Sequence, residues 1–172
     1  MIEAALEAGR AAYRIYHEGC AVHIKADESP VTAADHEAEE IILRHLARQA
    51  AGIGVVAEEQ VAAGHIPAMA AEFFLVDPLD GTREFIQHCG DFTVNIALIR
   101  HAQPALGVVY APATGQLFAA DVAAASASRA TLDPESPVAP QLRPIKVRAA
   151  PAAGITAVAS RSHRTAETDA YL

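Results

Sequence analysis

The sequence contains no tryptophan and only two cysteines, Cys20 and Cys89, among its 172 residues. Two unpatterned cysteines cannot build a disulfide framework or a cysteine-rich metal site, so we expect free thiols in a reducing compartment. Long apolar runs are also missing, and no segment reaches the length that crosses a membrane. The opening MIEAALE lacks the basic start and the continuous apolar run of a signal peptide. These absences favour a cytoplasmic protein.

Positive charge is scarce as well. The chain has 13 lysines and arginines against 21 aspartates and glutamates, a formal charge of −8. This balance argues against a nucleic-acid polymer or an anionic membrane surface as a partner. A small phosphorylated ligand remains compatible, because a bound metal ion reverses the local sign.

The apolar residues, 52% of the chain, suffice for one domain with a core or for a piece of a larger one. Their spacing predicts helices over 2–17, 32–50 and from about Thr165, and strands over 53–57, 73–76, 92–99, 105–110, 116–120, 145–148 and 155–160. A loop is expected over 18–30, turns at Gln103–Pro104 and Pro112–Gly115, and a surface excursion over 121–142. Helices followed by hairpin-like strands indicate an α+β layered fold.

The segment LVDPLDGTREFI, residues 75–86, carries the clearest chemical signal. Asp77 and Asp80 follow an apolar strand end, where carboxylates are costly unless a cation meets them. A hard divalent cation suits such oxygen ligands. Gly81 permits close backbone approach and Thr82 adds a hydroxyl. If 82–87 begins a short helix, its free N–H groups offer an anion site beside the cation site. Asp-Pro and Asp-Gly are also common turn dipeptides, so a plain turn is the alternative.

A second acidic pair, Glu58 and Glu59, follows the predicted strand 53–57. Alone, the pair would indicate a solvated loop. Because Asp77 also follows a short apolar strand, neighbouring strands could bring the two strand ends together. Three carboxylates at one site could hold two divalent ions that clamp a phosphate and activate water.

Other polar residues have ordinary structural explanations. Thr32 and Asp35 fit a capping box at the start of the second predicted helix. Lys25 is by default a solvated loop lysine. The eight histidines show no metal-ligand spacing. His163 lies in the polar cluster 160–163, where a phosphate or base contact is plausible.

The chain resembles the lithium-sensitive, Mg²⁺-dependent phosphatase superfamily that contains inositol monophosphatase. The matching segments, in the superfamily's order, are KADESPVTAAD (25–35), VVAEE (55–59), LVDPLDGTREFI (75–86), FTVNIALI (92–99) and ASRSH (159–163). DPLDGT downstream of an acidic pair is highly specific to this superfamily. Glu84, FTVNIALI and SRSH favour its CysQ branch, the 3′(2′),5′-bisphosphate nucleotidases.

The resemblance implies a layered α/β/α/β sandwich of the inositol monophosphatase type. It implies a metal-binding domain over 1–121, a linker over 122–144, and the start of a C-terminal α/β domain over 145–172. The superfamily's late Trp-Asp-x-Ala-Ala motif, which supplies a further metal ligand, has no match here. We therefore expect that the chain is truncated and its C-terminal domain incomplete.

The resemblance also implies metal ligands. Glu58, Asp77 and the backbone carbonyl of Leu79 would hold the first Mg²⁺. Asp80 would bind the second ion, with Asp77 bridging the two.

Further implied roles concern water and substrate. Thr82, hydrogen-bonded to Asp35, would orient or deprotonate the attacking water, and Glu59 would help to order it. The Gly81 and Thr82 amides would hold the phosphate. Three residues would lie towards the nucleotide: Ser160, Arg161 and His163.

The implied activity is removal of the 3′-phosphate of adenosine 3′,5′-bisphosphate, giving AMP and phosphate, in sulfate assimilation. An inositol- or sugar-phosphate phosphatase is the alternative within the superfamily. An inactive metal-binding fragment is the alternative outside enzyme function. The resemblance leaves peripheral membrane association open, and exposed strand edges leave a homodimer open.

Overall fold

Two long helices lie side by side against one face of a seven-stranded sheet. The computed structural model describes residues 1–25, 30–68, 70–136, 138–160 and 164–171. In chain order the elements are α1 (Ile2–Glu18), β1 (Val22–Ile24), β2 (Pro30–Thr32), α2 (Ala33–Gln49), β3 (Gly54–Ala57), α3 (Glu58–Ala62), β4 (Glu72–Asp80), α4 (Thr82–Ile86), β5 (Thr93–Arg100), β6 (Gln103–Ala111), β7 (Gln116–Asp121), β8 (Ser126–Thr131), β9 (Arg143–Pro144) and α5 (Ala166–Tyr171). This arrangement confirms the predicted α+β layered fold.

The start of α2 is fixed by its own sequence. The Thr32 hydroxyl accepts a hydrogen bond from the Ala34 N–H at 3.1 Å, and the Asp35 carboxylate accepts from the Thr32 N–H at 2.8 Å. This reciprocal capping box satisfies donors that a helix start would otherwise leave unpaired. Further along, Ala38 and Ile42 are fully buried on the face towards the sheet. The predicted helix over 32–50 is therefore confirmed.

The sheet follows the chain order from β3 to β9. Strands β3 and β4 are parallel, and every later pair is antiparallel. On β5, Val94, Ile96 and Leu98 point into the core and alternate with half-buried residues. Each such buried aliphatic side chain stabilises the fold by roughly 1.5–3 kcal/mol. The core thus lies between the sheet and the pair α1–α2.

Several predicted connections are wrong. The expected loop over 18–30 contains β1 and β2, which pair with each other. Gln103 and Pro104 belong to β6, and the turn falls instead at His101 and Ala102, both with positive φ (50° and 60°). Two left-handed residues give a tight hairpin turn whose twist matches the strands. The turn propensity of Gln103 and Pro104 therefore did not decide the position of the loop, because His101 and Ala102 form a shorter connection.

The C-terminal strands are also wrong. Residues 126–131, inside the expected surface excursion, form β8 because β7 offers it a pairing edge. Residues 145–148 and 155–160 form no strand. Val147 and Val158 are 98% and 95% exposed, and neither belongs to a strand. An apolar run becomes a strand only where a partner supplies hydrogen bonds.

The predicted helix from about Thr165 is confirmed as α5. The division into domains at 121 and 144 stays a prediction. Among the described residues, no helix is both long enough and apolar enough to cross a membrane.

Candidate active site

The two acidic segments meet at one edge of the sheet. In the parallel pair β3–β4, Ala57 is in register with Val76, so Glu58 at the start of α3 and Asp77 on β4 directly follow the last paired residues. Parallel strands place their carboxyl ends at the same edge. The expected meeting of the two strand ends is therefore observed.

The chain turns sharply after Asp77. The register between β4 and β5 shifts between Asp77 and Asp80, and Gly81 then adopts a left-handed conformation with φ 88°. A Cβ at Gly81 would lie 2.6 Å from the backbone oxygen of Asp91, which is too close for a Cβ atom. Only glycine fits here. The short helix α4 begins at Thr82, as predicted.

Thr82 and Asp35 are hydrogen-bonded across the site. The Thr82 hydroxyl donates to Oδ1 of Asp35 at 3.1 Å or to the Leu79 carbonyl at 3.2 Å. The other oxygen of Asp35 accepts from both the N–H and the hydroxyl of Thr32, at 2.8 and 2.7 Å. Asp35 is 2% exposed. It therefore caps α2 and also accepts a hydrogen bond from Thr82, while its catalytic role stays a prediction.

The environment of the Asp77 carboxylate would be stabilised by a cation. Its Oδ1 atom is buried and has no hydrogen-bond partner in the described structure. Burial raises the pKa of Asp77 to about 7, with further contributions from the charges of Glu58 and Asp80. A buried carboxylate oxygen without a donor is costly unless a metal ion or water meets it.

The donor set fits a hard divalent ion. Glu58, Asp77, Asp80 and the Leu79 carbonyl offer oxygen atoms only, the ligands that Mg²⁺ prefers. Within the described ranges, no three acidic, histidine or cysteine side chains form a ready-made metal cluster. Glu58 is instead engaged by an ammonium group, so its carboxylate would have to exchange partners to bind a metal ion.

That ammonium belongs to Lys25. Its Nζ lies 2.7 Å from Oε1 of Glu58 and 2.7 Å from Oε1 of Glu59. Burial lowers the pKa of Lys25, but the hydrogen bonds to the two glutamates outweigh it, so the pKa is raised overall. The side chain is only 11% exposed. The expectation of a solvated loop lysine is wrong, because tertiary contacts enclose it between two carboxylates.

Glu59 and Glu39 are buried next to the site. The Glu59 N–H donates to Oε2 of Glu39 at 2.8 Å. Burial is the main cause that raises the pKa of each carboxyl. Sequence reasoning did not single out Glu39. Its position four residues after Asp35, on the buried face of α2, was the available signal.

A cavity of about 630 Å³ opens over these groups. Its lining includes the metal-ligand candidates Glu58, Asp77, Leu79 and Asp80, and also Gly81, Thr82 and Ser160. Ser160 thus lines the same cavity. Arg161 and His163 fall outside the described residues. Their roles and those of the other predicted site residues stay predictions.

The cavity wall rests on an aromatic cluster. Phe92 lines the cavity, and its ring centroid lies 5.0 Å from that of Phe85 and 5.1 Å from that of Tyr16. Edge-to-face and tilted ring pairs of this kind add about 0.5–1.5 kcal/mol beyond area burial. The cluster therefore ties α4 to α1.

Acidic groups at neighbouring strand ends, beside a hydroxyl oriented by a buried aspartate, suit metal-assisted attack by water. The chain belongs to the inositol monophosphatase family, whose family model matches residues 1–171. Members of this family are metal-dependent phosphatases.

Curated relatives include several bisphosphate nucleotidases and an inositol-1-monophosphatase from Mesorhizobium japonicum, which is 36% identical over 121 residues, 69% of this chain and 44% of the relative. A 3′(2′),5′-bisphosphate nucleotidase CysQ from Shigella flexneri is 50% identical over 96 residues, 56% of this chain and 39% of the relative. The protein of that name from Escherichia coli O157:H7 is 44% identical over 118 residues, 67% of this chain and 48% of the relative. The chain thus spans less than half the length of these relatives.

A solved structure that is similar to this chain is also a CysQ. The crystal structure of CysQ from Bacteroides thetaiotaomicron aligns with 99% of this chain and 64% of its own, with a TM-score of 0.72 and 34% identity. The inositol monophosphatase-type fold that the sequence predicted is confirmed.

Proposed function

We propose that the chain carries the metal-binding part of a Mg²⁺-dependent phosphatase that removes the 3′-phosphate of adenosine 3′,5′-bisphosphate. The observation that carries the proposal is the buried Oδ1 of Asp77, which lies beside Glu58 and Asp80 and has no hydrogen-bond partner among the described residues. The likeness to bisphosphate nucleotidases supports the substrate. Sulfate assimilation in the cytoplasm is the setting that the resemblance suggests.

Glu58, Asp77, Asp80 and the Leu79 carbonyl would hold the Mg²⁺ ions. Bound there, Mg²⁺ supplies a water of lowered pKa and neutralises charge on the phosphate oxygens. The remaining chemistry belongs to the chain's own residues.

Thr82 orients the attacking water. Its hydroxyl has one proton, and Asp35 is an acceptor fixed by two donors from Thr32. When that proton is donated to Asp35, the oxygen lone pairs of Thr82 are free to accept a hydrogen bond from water. The water is thereby oriented with its own lone pair towards the phosphorus. Gly81 and Thr82 amides would bind the phosphate at the start of α4.

The water attacks in line with the bond that breaks between phosphorus and the 3′-oxygen of the ribose. The products are AMP and inorganic phosphate. No phosphoenzyme is required, which agrees with the absence of an activated nucleophile among the residues that line the described cavity.

The test is phosphate release from adenosine 3′,5′-bisphosphate by the 172-residue chain. We expect turnover that depends on Mg²⁺, is suppressed by Li⁺, and is lost in Asp80→Ala. Glu40→Ala, an exposed change of equal charge on α2, is the control. An unchanged rate in Asp80→Ala would refute the assigned roles.

Two other functions are outcomes of the same assay. The family match supports an inositol- or sugar-phosphate phosphatase, which higher rates on inositol or fructose phosphates would show. The short span relative to the curated relatives supports an inactive metal-binding fragment. In that case calorimetry would show weak binding of one Mg²⁺ and no turnover of any phosphate monoester.

A further inference from the structure

Arg83 is the only cation among the described residues that line the site cavity. The described lining also contains five carboxylates: Glu58, Asp77, Asp80, Glu84 and Asp91. Arg83 is exposed, and its guanidinium makes no hydrogen bond or ion pair with any residue in the described part of the chain. A guanidinium this close to acidic groups, yet paired with none, is available to an anion from solution.

Among the described residues, a second cation near the site is Lys25, which is already occupied. Lys25 shares its ammonium between Glu58 and Glu59 and is 11% exposed. It cannot meet a second anion without giving up one of these glutamates. Of the two, only Arg83 is free to bind substrate.

Arg83 lies next to the reacting position without facing it. It follows Thr82 in α4, and successive helical residues project about 100° apart. The Thr82 hydroxyl is directed to Asp35 and the Leu79 carbonyl. Arg83 therefore lines a part of the same cavity that differs from the position of the Thr82 hydroxyl.

We infer that Arg83 binds the second, non-reacting phosphate of a bisphosphorylated substrate and sets the preference for bisphosphates over monophosphates. This inference rests on the proposed function. The planar guanidinium can donate two parallel hydrogen bonds to phosphate oxygens, which an ammonium cannot. It also offsets the repulsion between the second phosphate and the acidic rim.

Binding of AMP tests the inference without turnover, because AMP keeps the non-reacting phosphate and lacks the reacting one. We expect Arg83→Gln to weaken AMP binding in the presence of Mg²⁺ by about tenfold or more. Binding of inorganic phosphate should stay unchanged. The AMP affinity of Arg83→Lys should lie between those of the wild type and Arg83→Gln. Arg48→Gln removes an equal charge from the exposed face of α2 and should leave AMP binding unchanged.

Kinetics provide the second readout. Arg83→Gln should lower kcat/KM for adenosine 3′,5′-bisphosphate about tenfold or more and leave kcat/KM for adenosine 3′-monophosphate unchanged. Equal losses on both substrates, or on AMP and inorganic phosphate, would overturn the inference. The inference would also be overturned if the wild type bound AMP no more tightly than Arg83→Gln does. If AMP binding depends on Arg83 but no substrate is turned over, the inference stands and the proposed function fails.

Discussion

The Thr82 hydroxyl donates to Oδ1 of Asp35 at 3.1 Å, across 47 residues of sequence. The contact joins the first turn of α2 to the first turn of α4, next to the acidic strand ends. A single carboxylate therefore sets both a helix start and the orientation of the group that would position water.

This contact predicts a difference between two conservative changes at Thr82. Thr82→Val keeps the shape and removes the hydroxyl, so phosphate release should fall about 10²–10³-fold. Thr82→Ser keeps the hydroxyl and should retain most of the rate. Steady-state phosphate release measures both, and calorimetry with Mg²⁺ should show unchanged metal affinity. Equal rates in the valine and serine variants would show that the hydroxyl has no part in the reaction.

Asp77 predicts a pH-dependent stability of the metal-free protein. Its folded pKa of about 7 lies above the unfolded value of about 3.9, so the folded state holds its proton longer. Stability contributed by this carboxyl is full below pH 4 and is lost as the pH rises through 7. Asp77→Asn should therefore raise the free energy of unfolding at pH 8 by on the order of 1–3 kcal/mol. The midpoint of thermal unfolding should rise accordingly. The substitution should have little effect at pH 4.

The control for this change is Glu40→Gln, because Glu40 is exposed on α2 and should alter stability little at either pH. Added Mg²⁺ should stabilise the wild type at pH 8 and not Asp77→Asn. A lower midpoint for Asp77→Asn at pH 8 would contradict the prediction.

Lys25 predicts a loss of stability when its charge is removed. Lys25→Met leaves the buried carboxylate of Glu59 without its cation, at a cost of about 3 kcal/mol. Arg14→Gln removes exposed ion pairs with Glu18 and Glu37 and should cost far less than the change at Lys25. Urea denaturation of the metal-free protein measures both. Equal midpoints would show that the Lys25 contacts contribute no more than a surface pair.

Gly81 predicts a steric cost beyond backbone strain. Gly64 has nearly the same φ, 85° against 88°, but nothing lies within 4 Å of a Cβ there. Gly64→Ala should therefore cost about 1–2 kcal/mol from the left-handed backbone alone. Gly81→Ala adds a clash with the Asp91 carbonyl and should cost clearly more, together with a loss of phosphatase rate. Denaturant unfolding compares the two, and equal costs would rule out the clash.

Local signals were enough for much of the fold. The helices α1 and α2, the strands from β3 to β7, and the metal-ligand candidates Glu58, Asp77 and Asp80 follow from apolar spacing and strand ends. Each of these signals lies within a few residues of the feature that it predicts. β8 and the coil over 145–160 could not be predicted in this way, because pairing depends on whether a neighbouring strand is present.

The sequence by itself determined which chemical groups the candidate site contains. The order of carboxylates, glycine and threonine in DPLDGT, with an acidic pair upstream, predicts a metal-assisted phosphatase site. Only the tertiary structure decided which groups are paired. Within the part of the chain that the structure describes, it enclosed Lys25 between Glu58 and Glu59, left Oδ1 of Asp77 without a donor, and left Arg83 free at the cavity rim. Residue type fixes what a side chain can donate or accept, but its partner and its solvation depend on contacts between segments far apart in the chain.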